Sequence, residues 1–258
     1  MRLWAIWSVF EFEFRRTLTW HRLLFVAALA LFPAGMISLI QYQGGHLGTA
    51  NRAAVLLFVL ITEVLCLMGM LLWATPAIHG ELESKTWPYL AVRPCGRGSI
   101  LAGKYLAAVA WTTVCAWVSL AGCLGVLHGD VEVSPLVVPL GTLALLSCLV
   151  YGAMFILLSV LFLQRAMVAA VAYTALMEVV VAWLPAMINH FSVQYHLRCL
   201  LAKWLGWSPS SEGRLDRLFL SSSPASRHLL VLLGAAGILL VAATWILRHR
   251  ELVRPDEG

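Results

Sequence analysis

The sequence predicts an all-α protein that crosses a membrane several times, and three observations carry that prediction. Charged residues make up 12% of the 258, about half of the roughly 25% usual in a soluble domain. Hydrophobic residues make up 61%, and the mean hydropathy is +0.85. The apolar residues gather into six runs, each near or above the ~20 residues a helix needs to cross a bilayer. This composition excludes a water-soluble enzyme and a disordered chain alike. The formal charge of +5 contains no compact basic run. It therefore reads as loop asymmetry across a membrane, with no nucleic-acid partner. The six cysteines form no C-x-x-C pair and fall mostly in apolar runs, where Cys acts as a small hydrophobe.

Residues 1–21 form the first element, an amphipathic interfacial helix. Leu3, Trp7, Phe10, Phe14 and Leu18 share one stripe, with Arg2, Glu13, Arg15 and Arg16 mostly off it. A helix of that kind lies in the headgroup plane. Glu11, Glu13, Arg15 and Arg16 stand where a cleavable signal would be apolar, so none is expected. The membrane domain occupies 22–258, with spans at 22–41, 53–75, 101–127, 135–163, 166–188 and 229–247. The fourth and fifth are separated only by Gln164 and Arg165, which predicts a tight helical hairpin. With the N-terminus cytoplasmic, that side collects twelve basic residues, and the two short outer loops collect only Arg52. Both termini are then cytoplasmic.

Two connections are too long for turns. The outer one, 189–228, mixes Trp204 and Trp207 with Leu200, Leu201 and serine-rich turns, and is expected to form short interfacial helices capping the outer face. The inner one, 76–100, is the more specific. It runs Glu81-x-Glu83-x-x-Thr86-x-x-x-Leu90-x-x-x-Pro94-x-x-Arg97-x-x-x-Leu101-x-Gly103-Lys104 into the third span. Glu83 to Val92 can form a short amphipathic helix with Trp87, Leu90 and Ala91 on one side, stopped at Arg93-Pro94. Such a helix between two spans can receive a push from a soluble partner.

Other chemistry finds little support. Gly98 to Tyr105 imitates a phosphate loop, but Tyr105 replaces the required Ser or Thr and no strand precedes it. H-E-x-x-H and G-x-S-x-G are absent. His190, His196 and Cys199 share the outer segment at irregular spacing, and read more readily as interfacial polar residues than as metal ligands. Two acids stand out: Glu63, near the middle of the second span, and Glu178, near the middle of the fifth. A carboxylate there costs about 2.5–3.5 kcal/mol, so each needs a partner, a proton or a wet cavity. Thr62, Tyr173 and Thr174 are neighbours able to supply hydrogen bonds. A shared pathway and a purely structural role weigh about equally. Gly69, Gly122, Gly125, Gly152, Gly234 and Gly237 read as sites of close helix packing.

The inner-loop pattern, the amphipathic first helix, the six spans and the long last outer loop together resemble the type-2 permeases of ATP-binding-cassette (ABC) transporters. Glu83, Thr86, Leu90, Pro94, Arg97, Leu101, Gly103 and Lys104 occupy the places of that family's motif, with Lys85 where many members have Gly. The resemblance implies an exporter-like permease with an elbow helix, embedded in membrane lipid and without catalysis or cofactor of its own. ATP and Mg would be bound by a separate cytoplasmic ABC ATPase subunit, and a second permease copy or a similar chain would complete the membrane unit. It assigns Glu81, Glu83, Thr86, Arg93 and Arg97 to the ATPase contact, and Glu63 and Glu178 to a path between the second and fifth spans. Family habit places it in a plasma membrane, the bacterial inner membrane. The cargo stays open, with apolar spans favouring a hydrophobic or amphipathic molecule. The rival class is a non-transporting anchor or sensor that recruits a cytoplasmic partner through 76–100; midspan acids argue against it. An intramembrane enzyme lacks a nucleophile–base or metal set at one depth.

Overall fold

The structure, a computed structural model, describes residues 2–17, 19–43, 50–77, 96–128, 132–163, 165–180, 192–207 and 223–249. Nearly all of those residues are helical, with no strand among them. In hydrocarbon every backbone N–H and C=O must be satisfied within the chain, and helices achieve this locally. The elements are α1 (Arg2–Thr17), α2 (Trp20–Tyr42), α3 (Ala50–Trp73), α4 (Arg97–Leu127) and α5 (Ser134–Leu161). They are followed by α6 (Ala166–Tyr173, continuing as Thr174–Val180), α7 (Val193–Trp204) and α8 (Ala225–His249).

Five of these, α2, α3, α4, α5 and α8, are long and apolar enough to cross a membrane. The predicted fifth span, 166–188, is described only as far as Val180, as apolar α6. Thr19 is extended, with φ −95° and ψ 145°, and this break separates α1 from α2 so that the two can take different directions.

Helix α5 is the centre of the bundle, packing against α8, α4, α3, α7 and α6. Its most apolar window is 72% buried, against 17% for α2 and α8 on the periphery. Tyr151, Phe155 and Ile156 of α5 are wholly buried, alongside Phe58, Ile61 and Leu65 of α3. Polar side chains lace this centre together, as expected where lipid gives helices no hydrophobic reason to associate. Ser147 donates to the Thr62 carbonyl at 3.2 Å and Tyr105 to the Leu149 carbonyl at 2.9 Å. Trp117 Nε1 donates to the Gly141 carbonyl at 3.1 Å.

The glycines divide in two. Gly152 lets Tyr105, Met70 and Val109 approach, and Gly69 lets Thr112 approach. Gly122 has only ordinary contact with Ala34, and around Gly125, Gly234 and Gly237 nothing lies within 4 Å among the described residues. These last three are on outward faces, so the expectation of close packing fails for them within one chain.

The N-terminal helix also packs differently from its predicted stripe. Ala5, Ile6, Val9, Glu13 and Phe14 lie at or near the α4 side, while Trp4, Trp7 and Phe12 are exposed. Glu13 turns inward because a lysine waits for it there. The described part of the outer segment is one short helix, α7. Helix α7 is packed into the bundle against α8 and α5, with Leu197, Cys199, Leu200 and Leu201 fully buried.

Candidate functional site

The charged centre of the bundle is built on α3 and α7. Helix α3 departs from α-geometry over Phe58–Leu65, where it winds as a π-helix, and Glu63 lies in that stretch. Wide turns of this kind are rare and concentrate at functional sites. The Glu63 carboxylate accepts the Nε–H of Arg198 at 2.6 Å, with both side chains about nine-tenths buried. A second arm of the guanidinium donates to Gln194 Oε1 at 3.0 Å, one turn back on α7. The fork of donors on arginine suits this double attachment. The acid's partner is thus Arg198, and not the neighbouring hydroxyls. Thr174 donates to the Ala170 carbonyl of its own helix at 2.9 Å. The Thr62 hydroxyl has no hydrogen-bond partner among the described residues.

Glu178 falls in a second π-helical stretch, Thr174–Val180 of α6. Its side chain lies outside the described ones. The two acids singled out in the sequence therefore sit in the two π-wound segments of the described chain.

Close to the ion pair, α7 makes a second polar contact. Nδ1 of His196 and Nδ1 of His228 stand 2.8 Å apart, one ring donating and the other accepting. Tyr195 packs edge-on to both rings. His196 therefore pairs with His228 of α8. Among the described residues no three His, Cys, Asp or Glu gather to hold a metal; His190 lies outside them. Burial pushes the Cys199 thiol up to about 11, against smaller downward pulls from Tyr195, Lys203 and Arg198. Only thiolate reacts readily, so maleimide at neutral pH is expected to label Cys199 after denaturation and not before. Labelling of a variant retaining Cys199 as its single cysteine, with and without denaturant, checks this; equal rates would show an open site.

The second cluster is where the inner connection enters α4. Gly96 takes φ +73°, a left-handed conformation glycine adopts without strain, and α4 begins at Arg97. Arg97 donates to the Leu247 carbonyl at 3.4 Å, near the end of α8, where cations suit the exposed carbonyls. Gly103 faces α1 so tightly that a Cβ there would meet Val9 at 2.7 Å and the Ile6 carbonyl at 3.0 Å. One residue on, Lys104 Nζ meets Glu13 at 2.6 Å, both largely buried. Phe14 stacks on Trp111 about two turns further along α4, with ring centres 4.7 Å apart. The span from Gly98 to Tyr105, which imitates a phosphate loop in sequence, is continuous helix. Of the residues assigned to an ATPase contact, Arg97 is placed here; Glu81, Glu83, Thr86 and Arg93 lie outside the described residues.

Two residues escaped notice in the sequence. Arg198 is one of five basic residues in 189–228, and it stands among Leu197, Leu200 and Leu201 and one turn after Gln194. That apolar setting was the available signal. Glu13 was set on the polar face of α1, and no local pattern links it to a lysine 91 positions away.

These features define a class: a multi-pass helical membrane protein whose apolar bundle contains buried ion pairs. No protein-family model matches the chain, and no curated protein matches it.

Proposed function

We propose that this chain is the membrane subunit of a type-2 ABC transporter, with six spans, exporting a hydrophobic or amphipathic substrate. ATP is hydrolysed on a separate cytoplasmic subunit that also holds the Mg, and the chain performs no chemistry itself. Two permease copies, or this chain and a similar one, form the membrane unit in a plasma membrane of the bacterial inner-membrane type, with both termini cytoplasmic.

The observation that carries this reading is the inner-loop motif ending in Arg97, Leu101, Gly103 and Lys104. Its final residues open α4 and seat α1 against it, through the glycine contact and the Lys104–Glu13 pair. A push received on 76–100 by Glu81, Glu83, Thr86, Arg93 and Arg97 would therefore meet a long helix already tied to α1, and through Arg97 to α8. The second support is the pair of π-wound segments carrying Glu63 and Glu178. Their altered winding suits helices that line a path and change shape. The Glu63–Arg198 pair then works as a contact between path and α7 that can break and re-form.

The test is a mild-detergent pull-down of the tagged chain from its native membrane. Recovery of a soluble protein with a phosphate-loop ATPase sequence, in near-equal amount, is the expected result. Its absence, under conditions that preserve a known ABC complex, overturns the reading.

A further inference from the structure

Helix α7 is held from two sides. Arg198 ties it to Glu63 of α3, and two residues earlier His196 ties it to His228 in the first turn of α8. His228 is buried, His196 is partly exposed, and Tyr195 lies edge-on to both rings.

The two contacts answer differently to acid. Arginine keeps its charge at every working pH, whereas histidine changes charge between about pH 5 and 8. At 2.8 Å the two Nδ1 atoms share one hydrogen. One ring donates it, and the other must present a bare nitrogen. A first extra proton can settle on Nε2 of the donor ring and leave that bond intact. A second must go to the bare Nδ1, which sets two N–H groups and two positive charges face to face. The contact therefore exists only while the pair holds fewer than two extra protons.

The helices around the pair supply no charge to offset that repulsion. Glu63 is the sole carboxylate on α3, α5, α7 and α8, and Arg198 already engages it. Besides His196, α7 carries Tyr195, Arg198, Cys199 and Lys203, of which two are cations. Helix α5 adds only Cys148 and Tyr151. At its near end α8 adds Arg227, which donates to Ser223 at 3.1 Å, and its Arg248 and His249 lie at the far end.

We infer that the His196–His228 contact is an acid-released latch, closing α7 against α8 at neutral pH and opening when both imidazoles are charged. In the unfolded chain each ring takes its proton freely. The closed state binds fewer protons, so the stability the latch contributes is lost as the pH falls. Release leaves α7 attached to α3 through Arg198 and free to part from α8. With both termini cytoplasmic, as proposed above, α7 lies towards the outer side and the latch reads the pH there. The latch itself stands whether or not the chain is a transporter.

The experiment uses the full chain in detergent micelles, labelled with nitrogen-15 at histidine. A nitrogen–nitrogen coupling across the Nδ1–H···Nδ1 bond is expected at about pH 7.5 and should vanish reversibly at about pH 5. Hydrogen exchange, corrected for its intrinsic pH dependence, should quicken several-fold over α7 across that interval while α5 stays protected. His228→Asn places an amide where Nδ1 stands. Its N–H can donate to a neutral His196 and its carbonyl can accept from a charged one, so this variant should keep α7 protected at both pH values. A coupling that is absent at neutral pH or persists in acid overturns the inference. So does acid opening of α7 that is equal in the parent and His228→Asn, or that opens α5 along with it.

Discussion

Arg198→Leu is expected to destabilise the folded chain by about 3–5 kcal/mol, because it strands the Glu63 carboxylate in the apolar bundle. In the native protein that carboxylate accepts from Arg198 at 2.6 Å, and no other protein hydrogen bond is described for it. Removing both charges is a different perturbation. Glu63→Leu with Arg198→Leu leaves no buried charge and should recover most of the loss, since apolar replacement of a whole buried pair is often neutral or better. Arg198→Lys should fall between, keeping a cation but losing the second arm to Gln194. Thermal unfolding in detergent, followed by loss of the monodisperse peak, measures all three, together with Glu63→Leu alone. If the two single losses simply add in the double variant, the residues do not interact and the pair carries no stability. Should the double variant fold yet fail to transport in the assembled complex, the pair's role is motion and not stability.

Gly103→Val is expected to lift α1 from α4. The new side chain would overlap Val9 and also approach the Ile6 carbonyl. A side chain can rotate away but a backbone carbonyl cannot, so the whole helix must shift. Overpacking of this kind costs about 1–3 kcal/mol, and the shift would also part Lys104 from Glu13, adding to the loss. Trypsin reads the outcome directly. Arg15 and Arg16 at the end of α1 should be cut several-fold faster than in the parent. Gly98→Ala is the control: its nearest neighbour is the Arg248 guanidinium at 3.7 Å, and it should be silent. Unchanged cleavage in Gly103→Val would show that α1 does not rely on this contact.

Much of this architecture was legible in the sequence because it depends on period and length alone. The apolar runs at 22–41, 101–127, 135–163 and 229–247 became helices α2, α4, α5 and α8 with ends moved by a few residues. Helix α5 ends at Leu161 and α6 starts at Ala166, and the two pack together. The site was legible only in fragments. Glu63 and Glu178 stood out because acids in hydrocarbon are expensive, yet the partner of Glu63 comes from α7, 135 positions away. The sequence neighbour Thr62 looked able to serve Glu63, but the Thr62 hydroxyl has no hydrogen-bond partner among the described residues, a choice invisible to composition. The glycines show the same limit. Gly69 and Gly152 sit at contacts, whereas Gly234 and Gly237 on α8 face outward, and nothing within a helical stretch separates the two kinds.

What the sequence determined by itself was the solvent this protein is built for and the approximate extent of the five long apolar helices among the described residues. Those follow from hydrophobicity summed along the chain, and from a backbone that has to satisfy its own hydrogen bonds in lipid. What only the tertiary structure decided was which charges meet. Glu13 turned from the polar face of α1 towards Lys104, and Arg198 of the outer segment meets Glu63. The physical reason is common to both. Burial makes an unpaired charge costly and a paired one tolerable, so the partner is selected by the packing that brings distant segments together.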